Sequence, residues 1–298
     1  MHRVFAIIVT FNPNMEVLNR LLGAINTQVN KVLVVDNGSP ENSIKLIKEL
    51  LPYNGELIEK GYNSGISEAI NTGVFEARKS HSSHVVFFDQ DSLPAEDMVE
   101  QLLSAMNQKS AEGIKVAAVG SKYADVKGSH LSPFVKLIGR KFQRVDCGDD
   151  EIVEVDHLIT SGCLVSIDAL TDVGHMEQKL FIDYVDTEWC LRAISKGYAL
   201  FGVGAAKMQH DMGDYFVKVF DRTIPVHSPL RNYYLMRNGI WLVYQPWVSL
   251  NWKIMHFIRL VKIYIVLSLI VGRKAENWKM MTQGIWHAVT GKMGKYID

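Results

Sequence analysis

Two carboxylates, Asp89 and Asp91, stand one residue apart where the apolar run His84-Val85-Val86-Phe87-Phe88 ends. Such a run reads as a buried strand whose carboxyl end delivers acids to a crevice. Carboxylates this close repel each other and attract a hard divalent cation. A cation held there could bridge to a diphosphate and take up charge as that group leaves. The chemistry indicated is that of a nucleotide-activated substrate. A second acidic cluster, Asp183-Tyr184-Val185-Asp186-Thr187-Glu188, comes much later in the chain. With a helix beginning near Val185, Asp186 falls in the first turn, where negative charge is favoured. One of these acids could deprotonate an acceptor hydroxyl as general base. Glu188 has Arg192 four residues on, the spacing of an ordinary helical ion pair, which leaves Asp186 the better base.

Other signals are weaker alone. Val34-Val35-Asp36-Asn37-Gly38-Ser39 is a strand running into a turn, and the turn explains Asn-Gly by itself. Asp36 could also accept a hydrogen bond from a base's ring N–H, with Thr10 flanking the same base. Gly61-Tyr62-Asn63-Ser64-Gly65 precedes a helix. Its glycines permit close backbone approach, and a helix N-terminus favours phosphate. His210 is a lone histidine, a type more often packed than ligating. Arg231 and Arg237 share one helical stretch and could face phosphates.

These residues need a scaffold, and the hydrophobic pattern supplies one. Val4–Thr10, Val32–Asp36, Glu56–Glu59, Val85–Phe88 and Val116–Val119 read as strands. Met15–Gln28, Asn42–Leu51, Ser64–Arg78 and Met98–Met106 read as helices between them. Alternation of this kind predicts an α/β fold with a mainly parallel sheet flanked by helices and ligands at the carboxyl ends of the strands. From Ser121 to Asp150 the pattern weakens, and an excursion or flexible loop is expected. Structure returns at Ile152–Ile159.

The 298 residues, 48% hydrophobic, suffice for one large domain and an appendage. Three cysteines without metal-type spacing suit free thiols in a reducing compartment. The first apolar run is short for a signal peptide, so a cytoplasmic protein is expected. The net charge of zero hides an asymmetry: residues 239–298 carry eight Lys/Arg against two Asp/Glu, and five of the six tryptophans. A basic, tryptophan-rich, apolar tail on an acidic body suggests an anionic membrane surface as partner. Within the tail, Ile254–Val271 is interrupted by His256, Arg259 and Lys262. Interfacial, amphipathic helices therefore fit better than a span, with a dimer interface as the alternative use of the same surface. No nucleic-acid partner is expected.

Taken together, the motifs resemble the family-2, GT-A-fold glycosyltransferases, above all bacterial rhamnosyltransferases of O-antigen or capsule synthesis. The pieces are Val9-Thr10-Phe11-Asn12, Val35-Asp36-Asn37-Gly38-Ser39, Asn63-Ser64-Gly65, Phe88-Asp89-Gln90-Asp91-Ser92, Thr160-Ser161-Gly162-Cys163, Asp186-Thr187-Glu188-Trp189-Cys190-Leu191-Arg192, and Arg231-Asn232-Tyr233-Tyr234 with Arg237-Asn238. They follow the family's order over roughly residues 3–238. The resemblance implies a GT-A-type, Rossmann-like domain over 1–238, with a nucleotide-sugar half at 1–120 and an acceptor half at 121–238. The helical tail at 239–298 is not a family-wide feature. Asp36 would bind a pyrimidine base. Thr10, Asn12, Asn63, Gly65, Asp89, Gln90, Arg231 and Arg237 would line the nucleotide-sugar site. Asp89, Asp91 and His210 would hold Mg²⁺ or Mn²⁺. Asp186 matches the family's catalytic aspartate, with Glu188 as the second acid. Val185 stands where the family usually has another acid. Gly162, Cys163 and Trp189 would lie on the acceptor side.

The implied reaction is inverting transfer, foremost of L-rhamnose from dTDP-L-rhamnose, to a hydroxyl of a lipid-linked saccharide at the inner face of the plasma membrane. A UDP-dependent hexosyl or galactofuranosyl transferase is the nearest alternative, and a non-catalytic sugar-nucleotide-binding subunit a more distant one. A nucleotidyltransferase would want a basic, glycine-rich loop after the first strand, whereas Thr10-Phe11-Asn12-Pro13 carries no Lys or Arg.

Overall fold

The computed structural model describes residues 2–125, 134–210, 215–219, 222–269 and 272–297. Its elements are β1 (Val4–Thr10), α1 (Met15–Ile25), β2 (Lys31–Asp36), α2 (Glu41–Leu50), β3 (Gly55–Glu59), α3 (Ile66–Lys79), β4 (His84–Asp89), β5 (Ser92–Pro94), α4 (Met98–Ala111), β6 (Val116–Asp125), β7 (Phe134–Ile138), β8 (Lys141–Val145), β9 (Ile152–Val155), β10 (Cys163–Ser166), α5 (Ile167–Val173), a 3-10 turn (Gln178–Leu180), α6 (Val185–Ser195), β11 (Ala199–His210), β12 (Tyr215–Val219), β13 (Arg222–Val226), α7 (Pro229–Val243), α8 (Leu250–Leu269) and α9 (Lys274–Thr290).

Every residue of β1 is buried, as a strand covered on both faces requires. Its alternating side chains divide the core. Phe5, Ile7, Val85 and Phe87 pack toward α3, α5 and α6, while Val4, Ala6, Ile8, Val86 and Phe88 pack toward α1 and α4. The sheet order is β3-β2-β1-β4-β10-β6-β11-β5, with β9 also on β11. β1, β2, β3 and β4 are parallel neighbours, so their carboxyl ends form one edge. β10 runs antiparallel between β4 and β6. Its beginning, not its end, therefore reaches the edge that carries Asp89.

Within the stretch expected to be an excursion, the described residues include three strands. β6 continues to Asp125, and β7 with β8 forms a hairpin. The hairpin docks by Phe134, 8% exposed, whose ring fills the space left by Gly202, where a Cβ would lie 2.5 Å from it. Such long-range docking leaves no local periodicity to detect.

The expected boundary at residue 238 falls inside α7. The tail is part of the packed body: Leu242, Val248 and Trp252 cluster with Leu191 of α6, and a Cβ on Gly284 of α9 would lie 2.5 Å from the Tyr233 carbonyl oxygen. α8 is amphipathic in an unusual sense. Trp252, His256, Leu260 and Leu267 face inward, yet Leu250, Ile254, Phe257, Ile258, Val261, Ile265 and Leu269 are exposed. Among the described residues no helix is long and apolar enough to cross a membrane.

β10 enters the sheet through Gly162, whose φ is +73° and whose Cβ position lies 2.1 Å from Ser121 Oγ. Gly197 has a similar φ of +79° with open space around it. Gly162→Ala should cost both a backbone and a steric penalty, about 2–4 kcal/mol, and Gly197→Ala only the former, about 1 kcal/mol. Thermal or urea unfolding of the two variants measures the difference; equal losses would remove the close approach at Gly162.

Candidate active site

The carboxyl ends of β1 and β2 are tied by one carboxylate. Asp36, 1% exposed, accepts from Thr10 Oγ1 (2.9 Å) and Ser39 Oγ (2.6 Å) at Oδ2, and from the Gly38 and Ser39 N–H groups (3.0 and 2.8 Å) at Oδ1. A base N–H arriving at Asp36 would take over one of these contacts, since a carboxylate offers about four acceptor positions. Asn37 extends the lacing: its Oδ1 accepts from Ser64 N–H and Oγ, both at 2.9 Å, and its Nδ2 donates to Asn63 Oδ1 at 3.3 Å. Asn63 Oδ1 also receives the Gly65 N–H at 3.1 Å. Gly65 has φ +86°, and a Cβ there would lie 2.6 Å from Phe181. Its role is this close approach to the loop before α6. Asn12, with φ +48°, donates its N–H to Ser39 Oγ at 2.8 Å. Gln90 spends both ends of its amide on the backbone of Phe11, accepting from N–H at 2.8 Å and donating to the carbonyl at 3.3 Å. It is thus a clamp between the ends of β1 and β4.

Asp89 ends β4, and Asp91 lies in the turn to β5; both are half-buried. The Asp89 N–H donates to Ser161 Oγ at 3.2 Å, and Ser161 Oγ meets Ser92 Oγ at 2.6 Å. β5 pairs antiparallel with β11 so that His210 lies opposite Ser92, one residue from Asp91. The His210 side chain lies outside the described residues, and among those described no three His, Cys, Asp or Glu residues gather as a metal site. The donor chemistry nevertheless fits: two carboxylates offer hard oxygens, and the strand register brings an imidazole-bearing backbone alongside.

The second acidic cluster lies beside His157. Asp186 Oδ1 accepts from Thr187 N–H at 2.6 Å, and its Oδ2 lies 3.5 Å from His157 Nε2. Burial pushes the Asp186 carboxyl upward, but the nearby His157 and the hydrogen bond from Thr187 outweigh it and hold the group below its ordinary value. It is therefore a carboxylate at neutral pH, 26% exposed. A cavity of about 450 Å³ opens between these parts, lined by Ser161, His157, Thr187, Tyr184, Phe142 and Trp252 among others. Ser161 thus joins Asp89 to the cavity, and His157 joins the cavity to Asp186.

Several expected site residues lie elsewhere. Glu188 is 1% exposed and doubly bonded to Arg192, Nε to Oε1 at 2.7 Å and Nη2 to Oε2 at 2.8 Å, so it has no access to an acceptor. Trp189 is 2% exposed and donates Nε1 to the Gly174 carbonyl at 2.8 Å. Cys163 is a core residue of β10, and burial drives its thiol well above the usual range. Gly162 bonds β4 and β6 rather than lining a surface. Arg237, 1% exposed, faces no phosphate site. It stacks over Tyr234 at 4.8 Å and donates to the carbonyls of Gly294, Lys179 and Leu180. Only tertiary packing decides this: α9 and the C-terminal segment cover the arginine.

Three residues emerge that sequence reasoning passed over. Ser161 and Asp183 lay within motifs already singled out. His157 had no signal beyond being polar beside an apolar run. Asp183, with φ +62°, sits between Phe181 (+65°) and Tyr184 (+64°), a cluster of left-handed non-glycine residues of the kind that marks functional sites. Asn238 Nδ2 holds this loop through the carbonyls of Leu180, Ile182 and Asp183 at 2.9, 2.6 and 3.0 Å. Arg231 Nε lies 3.3 Å from Asp183 Oδ1.

Residues 5–168 match the family described as glycosyl transferase family 2. The chain belongs to that family. This family 2 glycosyltransferase is 34% identical over 250 residues to dTDP-rhamnosyl transferase RfbF of Shigella flexneri, covering 83% of this chain and 82% of that protein. It is 24% identical over 150 residues to a UDP-N-acetylglucosamine–dolichyl-phosphate N-acetylglucosaminyltransferase of Methanococcus voltae, covering 46% of this chain and 58% of that one. Among solved structures, S. aureus TarS 1–349 in complex with UDP-GlcNAc superposes with a TM-score of 0.60 at 14% identity, over 96% of this chain and 81% of that one. GalNAc-T7 with UDP, GalNAc and Mn²⁺ gives 0.61 at 12%, over 95% of this chain and 55% of that one, so this chain spans about half of it. The fold is of the GT-A type.

With Asp186 as the general base, the acid limb of kcat/KM should fall below the ordinary aspartate pKa of about 3.9; a limb above it would take the role from Asp186. His157→Asn removes a neighbouring positive charge and should move the acid limb of kcat/KM upward. A pH–rate profile unchanged by that substitution would uncouple the two residues.

Proposed function

We propose that this glycosyltransferase moves L-rhamnose, with inversion, from dTDP-L-rhamnose to a hydroxyl of a lipid-linked saccharide during cell-surface polysaccharide synthesis. The shared cavity wall of Ser161, bonded to the Asp89 N–H, and His157, beside Asp186, carries the mechanism. The relation to the Shigella rhamnosyl transferase supports the choice of donor.

The nucleotide lies over the ends of β1 and β2, where Asp36 and its laced loops set the base position. The diphosphate lies against Asp89 and Asp91. These two, with His210, would hold Mg²⁺ or Mn²⁺, which when bound supplies positive charge to offset that developing on the departing diphosphate. The acceptor hydroxyl approaches from the cavity. Asp186 takes its proton as the oxygen attacks the anomeric carbon from the face opposite the diphosphate, and the C–O bond to the diphosphate breaks. The transition state carries oxocarbenium character. His157 keeps Asp186 oriented and ionised until that moment. Arg231, beside Asp183, supplies a cation near the same region.

A UDP-sugar would meet the same nucleotide contacts, and the methanogen relative is named for one. A panel of dTDP- and UDP-sugars, assayed for sugar transfer, separates the readings: turnover with dTDP-L-rhamnose is expected, and preference for a UDP-sugar would overturn the donor assignment. Asp186→Asn should lower kcat by about 10²–10⁴-fold, the usual worth of a general base, while leaving nucleotide binding intact. Near-normal turnover in that variant would remove Asp186 from the role.

The exposed apolar face of α8, with Trp278 and Trp286 of α9 at 54% and 63% exposure, supports peripheral attachment to an anionic membrane, at the inner face of the plasma membrane. The full-length chain should float with phosphatidylglycerol vesicles, and Phe257→Glu with Ile265→Glu should abolish flotation. Unchanged flotation would place the attachment elsewhere. A wild-type dimer in vesicle-free solution, dissociated by the same pair, would assign the face to a second copy.

A further inference from the structure

The cavity beside Asp186 extends to two guanidinium groups on separate elements, Arg144 of β8 and Arg259 of α8. Among the described residues its lining includes these two arginines and His157 but no Asp or Glu. Neither arginine has an ion-pair partner among the described residues. Both arginines are exposed, so they stand at the open side of the cavity, where such an imbalance attracts an anion and guanidinium forks match phosphate oxygens in particular. The volume, about 450 Å³, is that of a small-molecule site.

Part of the remaining wall is aromatic: Tyr123, Phe134, Phe142, Tyr184 and Trp252. Trp252 stacks on His256 at 4.3 Å and meets Phe142 edge-on at 6.2 Å, and Tyr184 meets His256 edge-on at 5.2 Å. Burial, and secondarily the charge of Arg259, pushes His256 down to about 3, so its ring is neutral and packs as an apolar one. α8 therefore has two working faces. Trp252 and Arg259 wall the cavity, while Ile254, Phe257, Ile258 and Val261 stand exposed to the outside. A ligand fitting both would be anionic where it meets the arginines and apolar where it leaves along the helix.

We propose that Arg144 and Arg259 form the acceptor's anion site, binding a phosphate or diphosphate ester whose apolar chain exits along α8 while its sugar reaches Asp186. This rests on Asp186 marking the acceptor side of the cleft. It makes the tail part of substrate recognition, not only an anchor. An acceptor with the same sugar on a neutral chain would lack the contact and bind more weakly.

The test uses the full-length chain with Mg²⁺ and saturating dTDP, so that the donor site is filled. Binding of geranyl diphosphate, inorganic pyrophosphate and octyl glucoside is measured by calorimetry. Geranyl diphosphate should bind most tightly, and Arg144→Ala with Arg259→Ala should weaken it about 10-fold or more, as loss of charge-assisted hydrogen bonds does. Octyl glucoside binding and dTDP affinity should not change. The double Arg→Lys variant keeps the charge and should lose less, which separates recognition from misfolding. Equal affinity of the double Ala variant for geranyl diphosphate would overturn the assignment, as would absence of wild-type binding. Loss of vesicle flotation in that variant with geranyl diphosphate binding retained would instead give the arginines to bilayer headgroups. Failure of the wild type to bind dTDP would strike the donor reading alone, because the alkyl diphosphate arm can be run without nucleotide.

Discussion

The arrangement depends on the reversed direction of β10. Parallel strands bring their carboxyl ends to a single edge, which gathers Thr10, Asp36 and Asp89 without further instruction. A parallel β10 would have sent the residues before it to the opposite edge. Running antiparallel between β4 and β6, it places Ser161 against the Asp89 N–H and Ser92 Oγ. From that junction the cavity opens toward His157 and α6. Gly162 makes the turn possible, since its φ of +73° and the nearby Ser121 Oγ leave no room for a side chain.

Around this junction, charges are either matched or left reachable. Asp36 is held by four donors, Glu188 by a doubly bonded arginine, and Arg237 by carbonyls and aromatic rings. Buried groups need such partners, because an unmatched charge in the interior is costly. Asp186 differs. Its partners leave it ionised and partly exposed, and one of them, His157, lines the cavity. The left-handed residues before α6 aim this helix start, and Asn238 of α7 fixes them through three carbonyls. The C-terminal helices thus support the loop before α6 from behind while α8 supplies part of the cavity wall.

Much of the first half was legible. The apolar runs of β1, β2 and β4 and the amphipathic α1 gave boundaries within a few residues of those observed, because a strand buried on both faces and a helix buried on one leave unmistakable local patterns. The Asp89–Asp91 pair was visible for the same reason: polar residues after a buried strand must surface at its end. The hairpin β7–β8 was not legible, because it is stabilised by docking Phe134 into the space over Gly202. The i,i+4 spacing of Glu188 and Arg192 already set Glu188 apart from Asp186 in sequence, and the structure shows that fork. Trp189 and Arg237 sit in motifs that resemble functional ones, yet packing buries both.

The sequence by itself determined which strands are buried, where acids end them, and that the C-terminal region is basic and aromatic, since each of these follows from neighbours along the chain. The tertiary structure alone decided that Ser161, bonded to the Asp89 N–H, and His157, beside Asp186, line one cavity, and that α8 helps build its wall. Those outcomes depend on strand direction and on helices covering residues more than a hundred positions away, and no local pattern encodes either.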